Sequence, residues 1–443
     1  ALGYQSNEDG WGTPYENTMR RRGHVWDDRF GWLPRTRLER YENGERYYNR
    51  GWISAEKEAA IRSDFRKAWI VRSEHFEIHT NHSLERGVEL SVALEDFHRF
   101  FMREYAGFFN TPQQIKALLD PGAGSSRSTG KRHVIHYYRS REEFITALKP
   151  KQANIELCNG LYLPGDRKAY FYYDPENVDA NMDTLFHEVT HQLFGESARA
   201  INLVGQEAHF WIIEGIACYL ESFEREDGRL QAGDPRHIRM YWARRRVVDE
   251  DYLLPFDRFA ALGMREFQAP GDLDTLQRYY SQASGMAHFF MHFEDGRYRD
   301  ALILHLSQIY SPDRRVREKA RGMDALTGVP YDELERQSRD YITALPAQAP
   351  TPLCTRTPDR VSPSHQPPAL PHKPLARQQQ HERTQQPPVV PQIHLGLPGD
   401  LRRDSLLQQL IKKRTALFRR QRHGPRHRSE FLHHIRIGGR VVE

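Results

Sequence analysis

His187-Glu188-Val189-Thr190-His191 sets two imidazoles four residues apart with a carboxylate directly after the first. On a helix both rings project from one face and can hold one metal ion between them. Glu188 then stands where it can reach a water on that ion without being a ligand itself. Farther on, Trp211 to Glu221 is a second helix-like segment, and its Glu214 can deliver a third ligand. Two imidazoles, one carboxylate and an open fourth position are the donor set of a catalytic Zn2+ site; a structural zinc is closed by four protein ligands. Such a site brings the pKa of its water to near 7, and Glu188 is placed to take that water's proton and return it to a leaving amine.

The five-residue pattern alone is weak in a chain with 22 histidines among 443 residues, so its surroundings must decide. Met182, Leu185, Phe186, Val189, Leu193 and Phe194 recur at helical spacing, which predicts a partly buried helix. Gly195 is expected to stop it. Glu214 follows His191 by 23 positions, enough for a loop and the start of a second, antiparallel helix. The bland alternative is a buried helix with two satisfied core histidines.

The arrangement resembles the gluzincin metallopeptidases, which share HExxH and a downstream glutamate ligand. Trp211, Glu214, Gly215, Ala217, Tyr219 and Glu221 are similar to the W-x-x-E-G-x-A-x-Y-x-E segment of the aminopeptidase N family. Tyr41-Glu42-Asn43-Gly44-Glu45 and His75-Phe76-Glu77-Ile78-His79-Thr80-Asn81 resemble a bacterial family known only as a domain of unknown function. The resemblance covers about residues 30 to 345. It implies His187, His191 and Glu214 as zinc ligands, Glu188 as the catalytic carboxylate, and a peptide or protein substrate. It also implies a downstream oxyanion donor, for which Tyr279 and Tyr280 are the candidates; ordinary helix packing is their alternative role. The chain departs from the pattern in three ways. It has no G-x-M-E-N segment, and Ile213 replaces the usual asparagine, so exopeptidase specificity is not expected. Cys218 stands where thermolysin-like enzymes carry an aspartate behind a histidine ligand, and Glu221 could serve instead. His237 and His288 read as structural or exposed. Two other readings remain open: a zinc hydrolase of a non-peptide amide, and a non-catalytic binding protein with a vestigial metal site.

Strands are expected at Ala68–Thr80, at His133–Tyr138 and at Ala169–Tyr173, the last of which the gluzincin resemblance places at the edge of the cleft. Helices are expected at Ser83–Phe109 and near 235–248, 272–294, 298–310 and 331–344. These give an α+β fold: a small mixed sheet beside a helical lobe, as in a gluzincin or thermolysin-like catalytic core. Residues 1–60 form an irregular N-terminal segment, 61–347 the catalytic domain, and 348–443 a disordered, basic Pro/Gln/Arg/His-rich tail. Within the tail, 401–418 reads as a short amphipathic helix with no identifiable partner.

A mean hydropathy of −0.77 with 28% charged residues excludes a transmembrane protein of helical type. The net charge is only +5, and Arg20-Arg21-Arg22 reads as a solvated turn, so no nucleic acid is expected on the catalytic domain. Gly122 to Gly130 lacks the Lys-Ser/Thr of a phosphate-binding loop. Three cysteines cannot all pair; a Cys158–Cys218 disulfide is one option if the protein is exported. The opening Ala1-Leu2-Gly3 suits a processed chain or a fragment. The compartment stays open, with a lean to outside the cytoplasm because the resembling family is often exported.

Overall fold

The computed structural model describes residues 5–7, 10–118, 131–152, 155–197 and 204–347. The tail from 348, its amphipathic stretch, the Gly122–Gly130 loop and Cys354 lie outside them.

Residues 10 to 60 are more regular than their sequence suggests. Strand β1 (His24–Asp27) pairs with β2 (Gly31–Pro34), and β3 (Glu45–Tyr48) with β4 (Gly51–Ser54), both antiparallel. Asn49 and Arg50 turn the second hairpin with φ of 46° and 65°, the left-handed pair of a type I′ turn. Cross-strand aromatic pairs close both hairpins: Trp26 opposite Trp32 and Tyr47 opposite Trp52. Arg37 and Arg40 lie over the Tyr47 and Trp52 rings at 3.7 and 4.0 Å. Strands of four residues are too short to leave a readable period, which is why the segment looked irregular.

Next comes a five-stranded mixed sheet. The expected strand at Ala68–Thr80 is two: β5 (Trp69–Arg72) and β6 (Phe76–Thr80), an antiparallel pair. After them come β7 (His133–Tyr138), β8 (Gly160–Leu163) and β9 (Lys168–Tyr172), in spatial order β8-β9-β7-β6-β5. The β6–β7 and β7–β9 pairings are parallel, and β8 returns antiparallel on β9. So β9, which the resemblance puts at the edge of the cleft, is interior to the sheet, and β8 and β5 are its two edge strands.

Alternation decides what each face of the sheet meets. Phe76, Ile78, Ile135, Tyr137, Ala169 and Phe171 join the main core with Val88, Leu94 and Phe97 of α1 (Leu84–Glu104), which Ser83 caps. The opposite face carries a small second core of Tyr138, Phe144, Leu148, Ile155, Tyr170 and Tyr172. The other helices of eleven or more residues among those described, α2 (Val178–Ser197), α3 (Phe210–Leu220), α4 (Ile238–Val248), α5 (Leu273–His292), α6 (Arg299–Ile309) and α7 (Tyr331–Ala344), build the helical lobe. An α+β fold with a small sheet is what forms. Gly195 does not stop α2, which runs on to Ser197; a glycine inside a helix lowers its stability by about 1 kcal/mol without ending it. Among the described residues no helix is long and apolar enough to cross a membrane.

Candidate metal centre

Helix α3 is buried along all eleven of its residues, so its single carboxylate within that span, Glu214, is carried into the interior by apolar neighbours. Gly215 lets α3 lie against α5: a Cβ there would stand 2.6 Å from the carbonyl oxygen of Ala283. Helix α2 crosses beside it, with Leu185, Val189 and Leu193 in the shared core.

This packing brings three ligand atoms together. His187 Nε2 is 3.2 Å from His191 Nε2 and 3.4 Å from Glu214 Oε2, and His191 Nε2 is 3.8 Å from the same oxygen. Ligands at about 2.0–2.1 Å from a tetrahedral ion stand about 3.3 Å apart. The imidazole planes cross at 79°, so two lone pairs can meet at one point. The donor set therefore fits a divalent ion.

The far nitrogen of His187 is anchored. Its Nδ1 is 2.7 Å from Glu221 Oε1, and Arg239 grips Glu221 through Nε and Nη2 at 2.7 and 2.8 Å. Burial disfavours the Glu221 carboxylate, but Arg239 and His187 outweigh it and hold its pKa far below the usual range. A carboxylate so held can only accept, so Nδ1 carries a proton, and an ion at Nε2 would take the place of any proton on that nitrogen. Burial likewise opposes the charge of His187, yet hydrogen bonds to Cys218, Glu214 and Glu221 carry it well above its ordinary value. His191 goes the other way, lowered chiefly by burial. Glu214 is lowered despite burial, by its contacts to His187, His191 and Tyr280.

His187, Cys218 and Glu221 also cluster. That set suits an ion less well: Arg239 occupies both Glu221 oxygens, and burial raises the Cys218 thiol. Cys218 is a free thiol beside His187, whereas Cys158 packs on the second core. The disulfide option is thereby removed.

Glu188 is tied to the sheet edge: its Oε2 accepts the backbone N–H of Tyr162 on β8 at 2.8 Å. Gly160 makes this approach possible, since a Cβ there would meet Thr184 of α2 at 2.8 Å.

The two candidate tyrosines part company. Tyr280 interacts with Glu214 and lies with its ring 6.0 Å below the Arg239 guanidinium. Burial first, then the charges of Glu214 and Cys218, keep its phenol protonated. Tyr279, one residue back, is partly exposed and packs on Phe259 and Phe267 at 5.6 and 5.5 Å, at the margin of the core. His237 Nε2 meets Asp183 at 3.3 Å behind the centre. His288 is structural, bonded to Gly233 and Tyr341.

Arg239, Asp183 and the Tyr162 amide escaped the reading of the sequence. Asp183 lies one turn before His187, a spacing that could have flagged it; the other two carry no sequence signal.

No protein-family model matches this chain, and comparison with curated proteins returns no match.

Proposed function

We propose that the chain is a zinc-dependent hydrolase of the gluzincin type, acting as an endopeptidase on peptide or protein substrates. The observation that carries this reading is the convergence of His187 Nε2, His191 Nε2 and Glu214 Oε2 within 3.2 to 3.8 Å, with Glu188 on the same helix. Zinc bound there supplies Lewis acidity and eases ionisation of a water near neutral pH. Glu188, one oxygen fixed by the Tyr162 amide, uses the other to take the attacking water's proton and pass it to the leaving amine. The Tyr280 phenol donates to the developing oxyanion. An extended peptide can pair with β8, an edge strand of the sheet. Gly160-Leu161-Tyr162-Leu163 offers no carboxylate to hold a free amino terminus, which favours internal cleavage.

The test is tightly bound zinc and cleavage of a quenched peptide library by the full chain and its Glu188→Gln variant. About one zinc in both, with cleavage only by the unsubstituted chain, supports the reading. Zinc without cleavage moves the substrate to a non-peptide amide, or the role to binding. No zinc in either overturns it.

A further inference from the structure

A second group of metal-capable side chains stands on other elements, where the turn between β5 and β6 meets α1. His75 lies in that turn. Glu95 and His98 are three residues apart on α1, and so share a face. Glu95 grips His75 twice: Oε1 accepts its backbone N–H at 2.7 Å, and Oε2 lies 2.7 Å from its Nδ1. The His98 ring stacks on His75 with centroids 3.8 Å apart and planes 20° from parallel. Among the described residues neither His98 nitrogen has a hydrogen-bond partner. One ligand atom from each of the three residues falls within 4.8 Å of the others, and all three are partly exposed, so an ion can reach them from solvent.

We propose that His75, Glu95 and His98 form a second site, for a borderline divalent transition-metal ion such as Zn2+, Co2+ or Ni2+. Two imidazoles and a carboxylate suit these ions and not Mg2+ or Ca2+, which take oxygen ligands. The ion takes the place of the proton shared by His75 Nδ1 and Glu95 Oε2. That pair widens from 2.7 Å toward the ligand spacing of about 3.3 Å around a tetrahedral ion. Near-parallel rings cannot both aim a lone pair at one point, so binding turns one imidazole out of the stack. The crossed pair on α2 needs no such turn. The second site is therefore the weaker and fills after the first. It does not depend on what the α2 centre catalyses.

Ni2+ binding to the full chain, followed by equilibrium dialysis and elemental analysis, tests this. His98→Gln and Glu95→Gln are expected to weaken one equivalent at least tenfold, while His187→Ala removes a different one. The histidines of the C-terminal tail contribute equally to all variants and drop out of the comparison. Paramagnetic shifts on the His75 and His98 ring signals of the unsubstituted chain provide a readout independent of any variant's folding. Unchanged stoichiometry and affinity in both variants, or ring signals that ignore Ni2+, overturn the proposal.

Discussion

Arg239 and Glu221 form a two-pronged ion pair, Nε to Oε2 at 2.7 Å and Nη2 to Oε1 at 2.8 Å, directly behind the Nδ1 of His187. Glu221 is buried and Arg239 largely so, and the pair fixes which nitrogen of His187 faces the ligand cluster. Removing one partner leaves the other's charge uncompensated, a loss of about 3–5 kcal/mol for a buried pair. Glu221→Gln is therefore expected to lower the unfolding midpoint and to weaken metal binding about 10–100-fold. Zinc affinity by competition with a chelator, alongside a melting curve, checks this. Wild-type affinity in a folded Glu221→Gln protein would show that the anchor is dispensable.

Tyr280 and Tyr279 are adjacent in sequence and opposite in environment, so they make an internally controlled pair. Tyr280→Phe is expected to reduce kcat about 10²–10³-fold, the usual loss of one oxyanion donor, with zinc content unchanged. Tyr279→Phe removes a hydroxyl from an aromatic packing contact and is expected to leave kcat within about twofold. Steady-state kinetics on a cleaved peptide decides. Equal effects from the two would remove Tyr280 from the chemistry.

How far the sequence could be read depended on the range of the forces involved. Strand β7 runs from His133 to Tyr138 as expected, because a short run of β-branched and aromatic residues favours a strand locally. The turn dividing Ala68–Thr80 was invisible because Ser73, not a glycine or proline, makes it: its backbone N–H donates to the Phe76 carbonyl, and its hydroxyl accepts the Phe76 amide. Edge strand β8 was missed because four residues carry too little pattern. At the centre, helical spacing revealed His187, Glu188 and His191, and the second helix revealed Glu214. Arg239 reaches Glu221 from a separate helix, α4, and no local rule links the two.

Gly215 tests the packing that delivers Glu214. A methyl at this position would press on the Ala283 carbonyl at 2.6 Å, and neither helix backbone can retreat without moving the core. Gly215→Ala is expected to destabilise by about 1–3 kcal/mol through overpacking, despite alanine's better helix propensity. It is also expected to weaken zinc binding, because α3 must shift relative to α2. Chemical denaturation and zinc titration on the same variant separate the two effects. A Gly215→Ala protein as stable as the unsubstituted chain would mean the helices adjust freely.

His288 predicts a pH dependence of stability that is independent of catalysis. It is buried on α5, with Nε2 3.0 Å from the Gly233 carbonyl and Nδ1 2.8 Å from the Tyr341 hydroxyl. Nε2–H therefore donates and Nδ1 accepts, which only the neutral ring can do. Burial, aided by the neighbouring His292, pushes its pKa down to about 3, whereas in the unfolded chain a histidine titrates at about 6.5. Between these values the unfolded state binds the extra proton. Stability contributed here is intact above pH ~6.5 and falls toward pH ~3, at up to about 1.4 kcal/mol per pH unit. His288→Gln keeps a donor and an acceptor but cannot titrate, so its stability should decline less steeply over that interval. Urea unfolding at several pH values between ~6.5 and ~4 compares the slopes. Parallel slopes would show that His288 is already protonated in the folded protein, against the hydrogen bonds that Gly233 and Tyr341 make to it.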